Sequence, residues 1–242
     1  MPSTTARTCP HCGRELEPLT LPSPFEGGRP MVVGYEDCRC PEAARERERA
    51  AREADERRRT EEREAFYRAL ERAGVPKRYL HAQHPLARQL TDRVEAGGSV
   101  YVWGPNGTLK TTLAAAIMRQ LVYRGKRAEM VNAVDLFVRI QSTYGTPERE
   151  GDVIERYSRK PFLVIDDLGK EQQTAWTASR LYAIVNARDA NLRPTVITSN
   201  FPVGELAGRM DGCDRSTAQA IASRLAGMCE TVATDGADRR LP

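Results

Sequence analysis

The stretch VYVWGPNGTLKTTLAAAI, residues 100–117, decides the fold. Val100–Trp103 reads as an apolar strand, Gly104 and Gly107 mark a loop, and Lys110-Thr111-Thr112 opens a run of helix formers. Strand, glycine loop, Lys-Thr and helix, in that order, come within one residue of the phosphate-binding pattern G-x-x-x-x-G-K-[S/T]; a chance loop is the alternative on this segment alone, and the paired acids further along favour the phosphate-binding reading. Backbone N–H groups around residues 107–111 then point at phosphate oxygens, and the helix N-terminus adds positive potential. The candidate nucleotide-binding residues are Gly104, Pro105, Asn106, Gly107, Thr108, Leu109, Lys110, Thr111 and Thr112. Lys110 neutralises terminal phosphates, Thr111 offers a hydroxyl to Mg²⁺, and Thr112 supports the phosphate contacts from the first helical turn. Leu109 stands where the second glycine is expected. A β-carbon on a left-handed residue costs about 1–2 kcal/mol, which corresponds to about tenfold weaker nucleotide binding.

Further along, KPFLVIDDLGKE (160–171) ends an apolar strand in two carboxylates, a Walker B pattern. Asp166 is expected to hold Mg²⁺, mostly through water, and Asp167 to orient and polarise the attacking water. Two acids at the mouth of a parallel sheet are costly to leave unpaired, which favours this reading over a solvated surface turn. PTVITSN (194–200) is a buried strand ending in Ser199-Asn200. Carboxyl ends of strands face the ligand crevice in α/β domains, so Asn200 is placed to reach a γ-phosphate or the lytic water; the alternative is an Asn-Phe-Pro turn. In AQAIASRLAGMCETV (218–232), Ile221, Leu225 and Met228 share a face and Arg224 lies beside it. Arg224 is either a solvated helix arginine or, in a ring or spiral of subunits, a group reaching the neighbour's γ-phosphate.

Around these motifs strands and helices alternate. Strands are expected at 99–103, 128–133, 161–166, 194–199 and 229–234, with helices at 110–124, 134–143, 175–190 and 216–227. The strands are β-branched and apolar on both faces, so the fold class is a three-layer α/β domain with a central parallel sheet and right-handed crossovers. It occupies 75–242. Residues 1–40 form a Cys-, Pro- and Gly-rich segment, and 41–74 form a charged helical arm. That arm is nearly all Ala, Glu and Arg, with large apolar residues (Phe66, Tyr67, Leu70) only near its end. Most of it is therefore a solvated spacer or a partner-binding surface.

Six cysteines in a chain without a secretory h-region suggest metal ligands or buried thiols rather than disulfides. Cys9, Cys12, Cys38 and Cys40 supply four thiolates for a tetrahedral, structural Zn²⁺, which a segment so poor in large apolar residues needs in order to fold. His11 is expected to point outward, and Cys213 and Cys229 read as buried free thiols. The net charge of +4 is compatible with nucleic acid but weak support for it. No apolar run approaches membrane-spanning length, so a cytoplasmic protein without membrane contact is expected.

The motifs GPNGTLKT, FLVIDDLG, VITSN and ASRL, in this order, resemble the DnaC/IstB-like branch of the AAA+ ATPases. AGVPKRYL at the domain entrance, DRR near the end and the CPHCG…CRC front support the likeness, which spans nearly the whole chain. The resemblance implies a P-loop ATPase of slow turnover that binds ATP and Mg²⁺. It implies Asn200 as sensor 1, Arg224 as the arginine finger, and self-association through the ATP sites. It further implies loading of the replicative hexameric helicase onto single-stranded DNA. An IstB-type transposition helper and a non-hydrolysing adaptor are the alternatives. Related loaders and initiators place single-strand contacts in the region of residues 139–160, where Tyr144 and Tyr157 would stack bases while Arg139, Arg159 and Lys160 meet phosphates; Glu148, Glu150, Asp152 and Glu155 dilute that charge, and a solvated connection is the alternative. Little chain follows residue 234, so no helical lid is expected and no sensor 2 is assigned.

Overall fold

The structure, a computed structural model, describes residues 7–24, 30–210, 212 and 214–235. Cys213 and the DRR triplet at 238–240 lie outside the described residues. The chain divides into two compact units, Met1–Glu64 and Ala65–Pro242.

In the first unit, an antiparallel hairpin pairs β1 (Pro18–Leu21) with β2 (Met31–Tyr35). Leu19, Leu21, Met31, Val32 and Val33 on this hairpin are exposed. The buried centre of the unit is small: Cys9, Cys38 and Ala43, with Leu16 and Cys40 packed against it. Helix α1 (Pro41–Arg72) begins here and carries i,i+4 pairs such as Arg49–Glu53 and Arg52–Glu48 on exposed surface. Each such pair adds a few tenths of a kcal/mol at most, about 0.3–0.5.

In the second unit, the last turns of α1 supply Leu70, fully buried, with Phe66 and Tyr67 packed beside it. A short 3-10 turn (Lys77–Tyr79) and α2 (Ala87–Glu95) lead into the sheet. The chain then runs through β3 (Ser99–Trp103), α3 (Lys110–Tyr123), β4 (Ala128–Asn132), α4 (Ala133–Gln141), α5 (Glu150–Arg159), β5 (Phe162–Leu168), α6 (Ala175–Ala190), β6 (Thr195–Ser199), α7 (Val203–Arg209), α8 (Arg215–Met228) and β7 (Cys229–Ala233). The five strands are all parallel, in the order β4-β5-β6-β3-β7. Side chains alternate between faces, so two cores form. Val100, Val102, Val164 and Val196 join Leu113 and Ile117 of α3 on one face. Tyr101, Leu163, Ile165 and Ile197 join α4 to α8 on the other. This is the three-layer architecture the alternation predicts.

Three helices escaped the sequence reading. In α2, Ala87, Leu90, Thr91 and Val94 are buried at helical spacing within a polar segment. In α5, Val153 and Tyr157 are the buried large side chains of a helix half of whose residues are charged. The seven-residue α7 buries only Val203 and Leu206. Helix α5 also changes the picture of residues 139–160. Tyr157 is buried, and Arg139, Arg159 and Lys160 pair with Glu148, Glu155 and Glu129. The cations expected to meet phosphates are thus already paired with carboxylates.

Candidate nucleotide site

The phosphate loop spans the gap between β3 and α3. At Gly104 (φ 155°) a Cβ would fall 2.2 Å from the Thr234 carbonyl oxygen, so only glycine lets β7 close against the loop. Thr234 completes that junction. Its hydroxyl lies 2.7 Å from Thr108 Oγ1 and donates to the Trp103 carbonyl at 3.1 Å. Leu109 has φ 66° and ψ 20°, the left-handed region expected of the missing glycine. The strain is therefore carried by the folded loop itself. A ligand responds only to what differs between two states, so the strain bears on stability more than on affinity. Leu109→Gly is expected to stabilise the domain by about 1 kcal/mol, raising the melting midpoint by about 2–4 °C. ATP affinity should stay within about threefold, because the backbone is already in place. Calorimetric melting and titration would check both; an unchanged melting point would count against strain at Leu109.

Lys110 is buried and donates to the carbonyls of Gly104 (2.7 Å) and Pro105 (2.6 Å). Thr111 Oγ1 donates to Asp166 Oδ1 at 3.1 Å, joining the start of α3 to the end of β5. The pairing of β5 with β6 is irregular here: Ile165 faces Ile197 and Leu168 faces Ser199, leaving Asp166 and Asp167 opposite Thr198 alone. Thr198 serves both. Its hydroxyl donates to Asp166 Oδ1 (2.6 Å) and accepts from the Asp167 amide (2.8 Å). Burial pushes the Asp166 carboxyl above the usual carboxylate range, opposed by the Thr198 hydrogen bond and reinforced by the charge of Asp167. A metal cation would reverse that trend by favouring the ionised form. Asp167 adopts φ 59°, which turns its side chain off the strand and into the cavity wall.

The cavity holds about 310 Å³. Asn106–Gly107, Leu109–Thr112 and Asp167 form one part of its lining, and Arg78, Tyr79 and His81 another. The second group comes from the AGVPKRYL segment and its continuation; nothing in its spacing singled it out. The site thus brings together the loop, Lys110, Thr111, Asp166 and Asp167. Asn200 follows β6 directly, and its Oδ1 is buried with no hydrogen-bond partner among the described residues. Arg224 is placed elsewhere. On α8 its Nε donates to Asn186 Oδ1 (2.8 Å) and its guanidinium lies 4.7 Å from the Tyr182 ring centroid, on α6. It does not line the cavity. Thr198 and Thr234 were not foreseen, because single threonines in a strand carry no spacing signal.

The residues present fit a magnesium nucleotide. Hard oxygen donors of Thr111 and Asp166 meet within hydrogen-bond distance, next in sequence to the buried ammonium of Lys110, while Asn200, like Arg224, does not line the cavity.

In the first unit the Sγ atoms of Cys9, Cys12, Cys38 and Cys40 all lie within 4.8 Å of one another. Cys9–Cys40 measures 3.9 Å and Cys12–Cys38 3.4 Å. A tetrahedral zinc with Zn–S near 2.3 Å requires sulfurs about 3.8 Å apart, so the cage fits. Hydrogen bonds from the backbone amides of His11 and Cys12 lower the Cys9 thiol to about 6, while contacts among the sulfurs raise Cys12 and Cys40, so without a cation the cluster holds its negative charge at Cys9. His11 instead contacts Glu46 at 2.5 Å, outside the cage. Cys229 is a buried free thiol, pushed up to about 12 by desolvation.

A glycine loop between β3 and a helix, with an acid-tipped strand (β5) one place beyond the intervening β6 in a five-stranded parallel sheet, defines an AAA+ type P-loop protein. The chain belongs to the family of IstB-like ATP binding proteins, whose profile matches residues 72–242. It is 28% identical over 124 residues to the replicative helicase loader DnaC of Escherichia coli strain K12, covering 50% of each chain. It is 29% identical over 108 residues to a putative ATP-binding protein in an insertion sequence of Mycobacterium tuberculosis, covering 44% of this chain and 42% of the other. The crystal structure of the DnaC helicase loader superposes with a TM-score of 0.56 at 24% identity, over 66% of this chain and all of that one, a likeness of fold. The chain spans about half the length of the curated relatives it matches. Among the described residues, no helix is long and apolar enough to cross a membrane.

Proposed function

We propose that this chain is an ATP-hydrolysing helicase loader, which grips a replicative hexameric helicase and uses its ATP state to control release of that ring onto single-stranded DNA. The observation that carries the reading is the meeting of Lys110, Thr111 and Asp167 around one cavity, with Asp166 hydrogen-bonded to Thr111 behind it, in a chain whose relatives include replicative helicase loaders. The loop amides and Lys110 hold the triphosphate, Lys110 exchanging the Gly104 and Pro105 carbonyls for phosphate oxygens. Thr111 and Asp166 hold Mg²⁺, which supplies neutralising charge to the phosphates. Asp167 accepts a hydrogen bond from the attacking water. Asn200 senses the γ-phosphate or that water from the end of β6. Tyr79 and His81 offer flat faces to the base. Arg224 acts on the neighbouring subunit's nucleotide, its guanidinium oriented by Tyr182 and Asn186 of its own subunit. The cysteine unit binds structural zinc and contacts the helicase.

The family profile and the insertion-sequence relative favour a second reading, an ATPase that assists a transposase on DNA. Capture experiments separate the two. The immobilised full chain is offered the host's replicative helicase or a transposase from a neighbouring insertion element, with ATP or ADP. The loader reading expects capture of the helicase and faster onset of unwinding on a closed single-stranded circle. Capture of the transposase with no effect on the helicase would overturn it.

A further inference from the structure

We infer that Lys170 is a positioning residue for Asp167, fixing the carboxylate that polarises the attacking water. This rests on the ATPase reading above. Asp167 has left the strand conformation (φ 59°), so the pleat no longer defines its side-chain direction. Something else must hold the carboxylate against the repulsion of Asp166 and of a triphosphate. Lys170 Nζ donates to Asp167 Oδ2 at 2.9 Å, and the Lys170 amide reaches back to the Asp167 carbonyl at 3.3 Å. The turn between them is built for this contact. Gly169 adopts φ 96°, and a Cβ there would press on the Phe201 ring at 3.2 Å. The Gly169 amide donates to Glu171 Oε2 at 2.8 Å, and Gln173 Nε2 donates to Glu171 Oε1 at 2.8 Å. Glu171 itself is buried, so the turn is anchored below while its Lys170 side chain stays half exposed.

The direction of approach matters. Asp167 lines the nucleotide cavity together with Lys110 and Thr111, but Lys170 does not. The ammonium therefore engages the carboxylate without filling the cavity. With one oxygen held, the carboxylate plane is fixed and a single acceptor direction is presented to water. Misplacing a catalytic group by an ångström costs orders of magnitude in rate, so a tether of this kind acts on turnover and not on ground-state binding.

Steady-state ATP hydrolysis by the full chain, with single-stranded DNA present, tests this together with binding of a fluorescent ATP analogue. Lys170→Ala and Lys170→Met are each expected to lower kcat about tenfold, while KM and analogue affinity stay within about twofold. Lys170→Arg should recover most of the rate, because the cation is restored. In an Asp167→Asn background, Lys170→Ala should cost nothing further, since the group it positions is gone. An unchanged or raised kcat in Lys170→Ala, or an equal loss in the Asp167→Asn background, overturns the inference. If Asp167→Asn slows the parent and Lys170→Ala does not, this inference alone falls. A parent that hydrolyses no ATP overturns the ATPase reading and this inference with it.

Discussion

Lys110→Ala is expected to weaken ATP binding by about a hundredfold or more. Hydrogen bonds to charged groups contribute about 1.5–3 kcal/mol each, and this ammonium is placed to reach two phosphate oxygens. The group is buried, its helix begins at the loop, and the other cation of the lining, Arg78, belongs to the part formed with Tyr79 and His81 and not to the phosphate loop. The fold should lose less. The carbonyls of Gly104 and Pro105 each lose a donor, at about 1–3 kcal/mol if they remain dry and less where water enters. Isothermal titration with ATP-Mg reads the affinity and thermal melting reads the fold. A loss below about threefold, in a variant that still melts cooperatively, would remove the loop as the nucleotide site.

Stripping metal is expected to unfold the first unit while leaving the second intact. Among the described residues, the first unit has almost no apolar core: Cys9, Cys38 and Ala43 are buried there, and two of the three are thiols of the cage. The second unit has two full cores, one on each face of its sheet. Zinc binding to small cysteine sites contributes about 10–16 kcal/mol of apparent folding energy near neutral pH, far more than so small a centre supplies. Chelation, or Cys12→Ser with Cys38→Ser, should therefore abolish hydrogen-exchange protection around residues 8–16 and 31–40. The melting of the ATP-binding unit should be unchanged. The purified chain should carry one equivalent of zinc; less than one-half would count against the cage as a metal site.

The sheet and its motifs were legible because their signals are local. Strands such as Phe162–Leu168 are apolar on both faces, and the glycine loop and paired acids have fixed spacings. Helix α5 was hidden because two anchors, Val153 and Tyr157, lie among charges, so its segment reads as a basic, solvated connection. Local sequence also cannot reveal who neutralises whom: Lys160 meets Glu129 across 31 positions of chain. The same limit concealed Thr198 and Thr234. Their role exists only once β6 and β7 lie beside β5 and β3. Leu109 shows the opposite case. Its left-handed backbone follows from the motif it interrupts, and the structure adds only that the folded loop bears the strain.

The hydroxyl of Thr234 ties the end of β7 to both Trp103 and Thr108. Pulling on the chain just past that strand therefore tugs the glycine turn directly, with no intervening lever. A binding protein grasping the chain beside Thr234 would register as altered nucleotide occupancy.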